Sequence, residues 1–180
     1  MKRLTVKEMS LVAIFPAMMA ATAGISIPLG SLPAVSLQTI FVFMAALLLG
    51  PKLASLSMII YVVMGIIGLP VFSNYRGGFD VIAGQSGGFI IGFVFSAYLV
   101  GFMKNVSFLN KNILYIFAIL VAGNTVIYMF GAAYIAYLLN TGFFPTLATF
   151  IPYILGDLLK IIVVLYVYTR IRHHFTYEGS

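Results

Sequence analysis

The chain has 180 residues, 62% of them hydrophobic and only 8% charged, with a formal charge of +6 and no cysteine. A soluble domain of this size cannot bury so much apolar surface, so composition excludes a water-soluble protein and points to one integral membrane domain over residues 1–180. The positive charge has a plain source in the Lys and Arg that collect on cytoplasmic loops, and no nucleic-acid partner is expected; the lack of cysteine excludes disulfides, thiolate metal sites and cysteine nucleophiles.

Six hydrophobic segments follow, at about 9–29, 36–49, 53–69, 87–103, 113–139 and 147–169. Each is expected to be a transmembrane helix, because lipid requires every backbone polar group to be satisfied within the span. The expected fold class is therefore an all-α integral membrane protein with six transmembrane helices.

The first segment carries Ala13, Ala17 and Ala21 at a spacing of four, a small-residue face that lets a helix pack closely. That face serves either internal packing or the docking of a separate partner. Pro16 is expected to kink the helix. Lys2, Arg3 and Lys7 ahead of an apolar run ending in Ala21-Thr22-Ala23 have the form of a signal peptide. The run carries on through Ile25 and Ile27, which favours a retained helix. The loop that follows, SIPLGSLPAVSLQT, holds Pro28 and Pro33, has no charge and reads as ordered.

The second segment is short, roughly 21 Å against a hydrocarbon core of about 30 Å, so it is flanked by protein or extends back towards Pro33. Gln38 at its start either points to a ligand or bonds a neighbouring backbone carbonyl. The stretch 68–89, GLPVFSNYRGGFDVIAGQSGGF, is glycine-rich and polar at Asn74, Arg76, Asp80, Gln85 and Ser86. Gly77-Gly78 and Gly87-Gly88 mark tight turns. The interleaved Phe72, Tyr75, Phe79 and Val81 point to a packed cap over about 70–86 rather than a solvated connector. In the fifth segment Asn124 and Tyr128 share a face. Asn124 falls nearer the inner half and reads as interhelical packing, whereas Tyr128 can reach a cavity on the cap side.

The sixth segment contains GDLLK. Ionisable residues inside a span are functional candidates by default. Asp157 and Lys160 are three apart, share a helix face and can neutralise each other. They read either as a structural ion pair or as a site in which Lys160 meets a carboxylate and Asp157 accepts N–H donors.

Charge placement orients the helices. With the N-terminus inside, the cytoplasmic segments carry Lys2, Arg3, Lys7, Lys52, Lys104, Lys111, Arg170 and Arg172, and the outer loops carry only Arg76. Both termini are thus expected to be cytoplasmic. No Walker A, HExxH, GxSxG or Cys/His cluster occurs, and His173 and His174 lie in the tail, so neither ATP hydrolysis nor metal chemistry is expected of this chain.

The stretch ISIPLGSLPAVSLQTIFVFMAALLLGPKLASLSMIIYVVMGIIGLPVF, the glycine-rich GGFDVIAGQSGGFIIGF and ILGDLLK together resemble the BioY family, the biotin-specific substrate-capture (S) components of energy-coupling factor (ECF) transporters. The resemblance runs nearly the full length. Where that family has a Gly-Pro-Thr-Gly-Gly turn, this chain has Gly84-Gln85-Ser86-Gly87-Gly88, and Asn74-Tyr75-Arg76 lies where the family is variable. The resemblance implies a six-helix S-component fold in a bacterial cytoplasmic membrane, with biotin as the transported ligand and no other cofactor. It implies a site under the loops between helices one and two and between helices three and four, to which Asp157 and Lys160 contribute. Asn74 and Gln38 are further candidates for biotin's polar ends, and Phe72, Tyr75 and Phe79 for its apolar body. Arg76, Gly77, Gly78, Gln85 and Tyr128 complete the candidate set. The implied partners are a transmembrane coupling protein, docked on Ala13 and Ala17, and two cytoplasmic ATPases that hydrolyse ATP in its place. The alternatives are an S component for thiamin or riboflavin, or a membrane enzyme using Asp157 as a base.

Overall fold

The computed structural model describes residues 4–29, 32–106 and 112–172; the side chains of 27–35 and 106 are not part of that description. Lys2, Arg3, Lys111, His173 and His174 lie outside the described residues, as do the side chains of Pro28 and Pro33.

Helix α1 (Val6–Ala21) opens on a capping box, in which Thr5 accepts from the Glu8 amide and Glu8 accepts from the Thr5 amide. It ends eight residues earlier than the apolar run suggested. The Thr22 hydroxyl folds back onto the Met18 carbonyl at 2.9 Å. The chain then enters an antiparallel hairpin, β1 (Ser26–Leu29) with β2 (Leu32–Ser36), in register Ser26 with Ser36 and Ile27 with Val35. The reason is backbone accounting. Pro28 has no amide and would break a continued helix, and pairing two short strands satisfies the remaining groups.

Helix α2 (Gln38–Ile66) is continuous by its hydrogen bonds but broken at Gly50, whose φ of 75° and ψ of −178° are not helical. Pro51 follows immediately and supplies no amide. The two arms, 38–49 and 51–66, match the second and third expected segments. They fold back on each other, so that Gln38 and Tyr61 meet at one end of the molecule.

Between Ile66 and α4 (Gly87–Val106) lies the expected cap. It is built of a 3-10 turn at Ser73–Tyr75 and the short helix α3 (Phe79–Ala83), with Val71, Phe72 and Val81 buried beneath it. Helix α5 (Ile113–Leu139) ends on Asn140 in the left-handed region, φ 52°. The last apolar run then divides into α6 (Phe143–Ala148) and α7 (Ile151–Ile171) instead of starting near 147. Phe150, at the break, is buried within about 6 Å of the rings of Phe89, Tyr128 and Tyr153, centroid to centroid.

The α2 arms, α4 and α5 form the centre of the bundle, with α1 and α7 against them. Apolar side chains also cover the outside, among them Leu155, Leu159, Ile162 and Tyr166 on α7. A helix apolar all round belongs in lipid or in a core. Among the described residues, four helices are long and apolar enough to cross a membrane, namely α2, α4, α5 and α7; α1, at 16 residues, is shorter.

Most of the described cations collect at one end. The Gly50–Pro51 turn lies against Gly101 and Asn105 of α4, so Lys52 and Lys104 stand at the same end of the bundle. Tyr115 at the start of α5 donates to the Met103 carbonyl at 2.7 Å. Ile113 and Ile116 share a cavity with Tyr168 and Arg172 at the end of α7. Ser57 donates to the Val12 carbonyl at 2.8 Å, tying in the Lys7 end of α1. The cap and Gln38 lie at the opposite end.

Candidate functional site

Helix α7 presents Tyr153, Asp157, Lys160, Ile161 and Val164 to the bundle, a three-and-four spacing that makes one buried stripe. Lys160 Nζ lies 2.7 Å from Asp157 Oδ1, and the two side chains are only 10% and 8% exposed. Helix α5 brings two further donors to the same carboxylate. Asn124 Nδ2 lies 3.3 Å from Asp157 Oδ2, and the Tyr128 hydroxyl donates to that same oxygen. Asn124 and Tyr128 are one turn apart, so a single face of α5 supplies both. Phe150 stacks on Tyr128 with centroids 5.7 Å apart and holds that ring in place.

This cluster forms one wall of a cavity that opens to the surface. Thr39 from α2 and Ser86 from the turn before α4 face it, with Ser36, Ser73 and Arg76 nearer the hairpin and the cap. Phe72, Phe89, Phe93 and Tyr153 supply aromatic surface, and Val81, Ile90 and Ile127 aliphatic surface. Such a mix suits a small ligand with an apolar body and a few polar groups. Among the described residues, no group of His, Cys, Asp and Glu is placed to hold a metal ion.

Of the candidate residues read from the sequence, Asp157, Lys160, Gln38, Phe72, Arg76 and Tyr128 line the cavity. Gln38 does so while its own groups are occupied. Its amide donates to the Val71 carbonyl at 3.1 Å, and its oxygen accepts from Ser36 at 3.2 Å and Ser73 at 3.4 Å.

The other candidates do not line it; most hold the cap together instead. The Asn74 side-chain oxygen accepts from the Ser26 hydroxyl at 2.7 Å, and its backbone N–H donates to the Ala23 carbonyl at 2.8 Å. Tyr75 lies against Gly24 and is 58% exposed. Phe79 is 67% exposed. Gly77 sits against the Leu69 carbonyl, where a side chain would not fit, and the Gly78 amide donates to the Gly65 carbonyl at 2.7 Å. Gln85 is half-buried beside the cavity-lining Ser86. Arg76 pairs with Asp80 at 3.0 Å on the exposed surface of the cap.

Asn124 requires a correction. Its interhelical bond, expected as packing, is made to Asp157 in the cavity wall, so it lies at the site rather than away from it. Its spacing from Tyr128 carried the signal, since both had to face the same way. Thr39, Phe89, Phe93 and Tyr153 were also missed. They are residue types common in any membrane core, and nothing local sets them apart.

The small-residue face of α1 is not used inside the fold. Ala13, Ala17 and Ala21 are exposed, while Val12, Phe15, Pro16 and Met19 make the packing face.

The chain is similar to known proteins along most of its length. The chain is 34% identical over 159 residues to the biotin transporter BioY of Thermotoga maritima, covering 88% of this chain and 92% of that one. It is 36% identical over 156 residues to a probable biotin transporter BioY of Pyrococcus horikoshii, covering 86% and 89%. The crystal structure of the S-component for biotin from an ECF-type ABC transporter superposes with a TM-score of 0.86 at 28% identity, over 95% of each chain. The BioY family model matches residues 1–177, and with it the chain is placed as a member of the BioY family.

Proposed function

We propose that this protein captures biotin in the cavity between α2, α4, α5 and α7 and serves as the substrate-specific S component of an ECF-type transporter. The observation that carries the reading is the buried Asp157–Lys160 pair, braced by Asn124 and Tyr128, facing an aromatic cavity in a member of a family of biotin transporters. Biotin offers a ureido group, a carboxylate and an apolar thioether ring, and the cavity has surface for each. Phe72, Phe89 and Phe93 cover the ring, and the polar ends meet the Asp157–Lys160 cluster and the hydroxyls of the cavity wall. The protein is a transporter subunit, not an enzyme; ATP hydrolysis falls to two cytoplasmic ATPases, joined through a membrane coupling protein that docks on the exposed Ala13 and Ala17.

The same reading places the chain in a cytoplasmic membrane as a single domain, residues 1–180, with six crossings: α1, the two arms of α2, α4, α5 and α7. The basic end, with both termini, faces the cytoplasm, as the excess of Lys and Arg there supports. Native mass measurement of the detergent-purified protein, stripped of ligand and then given biotin, tests the assignment. A bound species of biotin's mass that is lost in Lys160→Ala is the expected result. A folded protein that takes thiamin or riboflavin and not biotin would transfer the assignment to that vitamin.

A further inference from the structure

Most polar groups in the cavity wall are already satisfied by the protein. Asp157 receives three donors, from Lys160, Asn124 and Tyr128. Gln38 uses both its oxygen and its amide. Two groups differ. The Asn124 side-chain oxygen and the Thr39 hydroxyl are buried without a hydrogen-bond partner among the described residues, on residues each 9% exposed. Both residues line the cavity. The Asn124 amide cannot simply turn over to hide its oxygen. An ionised carboxylate only accepts, so the NH2 must face Asp157 and the carbonyl must face elsewhere. A buried acceptor without a donor is destabilising, and folded proteins retain few of them.

Resting on the biotin reading above, we propose that Asn124 and Thr39 are the groups that read the ligand's polar head. Asn124 Oδ1 accepts one ureido-type N–H, and the Thr39 hydroxyl bonds a second polar atom of the ligand. Asp157 is then a positioning residue, which fixes the direction in which Asn124 presents its oxygen. This arrangement gives selectivity as well as affinity. A ligand lacking the N–H leaves Asn124 unpaired against the bound ligand, and such sites reject the analogue strongly.

The test measures affinities by calorimetry for biotin and for two derivatives, each methylated on one ureido nitrogen, together with ligand-free melting temperatures. Wild-type protein is expected to bind biotin and to reject at least one derivative by about a hundredfold or more. In Asn124→Ala biotin binds about tenfold more weakly, and the discrimination narrows by about tenfold or more. Thr39→Val weakens biotin several-fold but leaves the ligand-free melting temperature unchanged or raised, because the hydroxyl it removes bonds nothing. If Asn124→Ala does not fold, Asn124→Ser keeps a small polar side chain without the carbonyl, and the same ratio decides. A folded variant at position 124 that keeps the wild-type discrimination overturns the role of Asn124. A lowered ligand-free melting temperature in Thr39→Val overturns that of Thr39. Wild-type protein that ignores biotin altogether overturns the biotin reading and this inference with it.

Discussion

Gln38 and Tyr61 donate to the same carbonyl oxygen, that of Val71, each from 3.1 Å. On one straight helix these residues would stand roughly 34 Å apart. Their meeting is what the break at Gly50 accomplishes. It turns α2 back on itself and lets both arms grip the first residues of the cap. Because Gln38 also lines the cavity, the link between helix hinge, cap and site passes through one backbone oxygen.

Gly50 is the residue that link depends on. Its φ of 75° with ψ of −178° lies in a region essentially restricted to glycine. Gly50→Ala is expected to cost about 1–3 kcal/mol. At roughly 2–4 °C per kcal/mol for a chain of this size, thermal unfolding in detergent should fall by several degrees. Biotin affinity should fall with it. An unchanged melting temperature would show that the turn tolerates a side chain.

Gly65 sets the seat of the cap. A Cβ there would overlap the ring of Phe72, which is fully buried and lines the cavity. Overpacking of this kind costs about 1–3 kcal/mol. Gly65→Ala should therefore displace Phe72, hasten cleavage within 70–86 by protease, and speed biotin dissociation by about tenfold. Stopped-flow release of biotin and limited proteolysis read the two effects separately.

The ion pair separates a structural from a binding role. Lys160→Met leaves Asp157 buried without its cation, a change expected to cost about 3–5 kcal/mol. Adding Asp157→Asn removes the orphaned charge and should restore much of the lost stability. Biotin binding should nevertheless stay at least tenfold weaker in the double variant, about 1.4 kcal/mol or more. A double variant that recovers both melting temperature and affinity would mark the pair as a structural staple.

The exposed face of α1 gives the contrary pattern. Ala13→Leu with Ala17→Leu changes exposed residues, so stability should move by no more than about 0.5 kcal/mol. Biotin binding by the isolated protein should stay at the wild-type value. Co-purification with the membrane coupling protein, and biotin uptake by cells, should be lost. Retained co-purification would place the docking surface on another helix.

The cap shows how far local reading of the chain reaches. Glycines interleaved with Phe72, Tyr75, Phe79 and Val81 foretold a packed segment, and Phe72 and Val81 are indeed buried. Asn74 and Tyr75 looked like ligand contacts because they are polar or aromatic within such a segment. In the fold they sit consecutively at φ 62° and 55°, with Asn74 tied to the hairpin and Tyr75 against Gly24. Nothing local distinguishes a residue that faces a cavity from one that fastens its lid.

The sequence by itself determined the membrane character, the interruption between the arms of α2 and the shared face of Asp157 and Lys160. Each depends on properties that neighbouring residues carry: transfer free energy, the missing amide of proline, the three-residue helical spacing. Only the tertiary structure decided that Asn124 reaches Asp157 across 33 positions, that Gln38 is satisfied, and that the Asn124 oxygen and the Thr39 hydroxyl are not. Whether a buried polar atom has a partner depends on residues distant in sequence that packing brings within about 3 Å, and no periodicity along one chain encodes that distance.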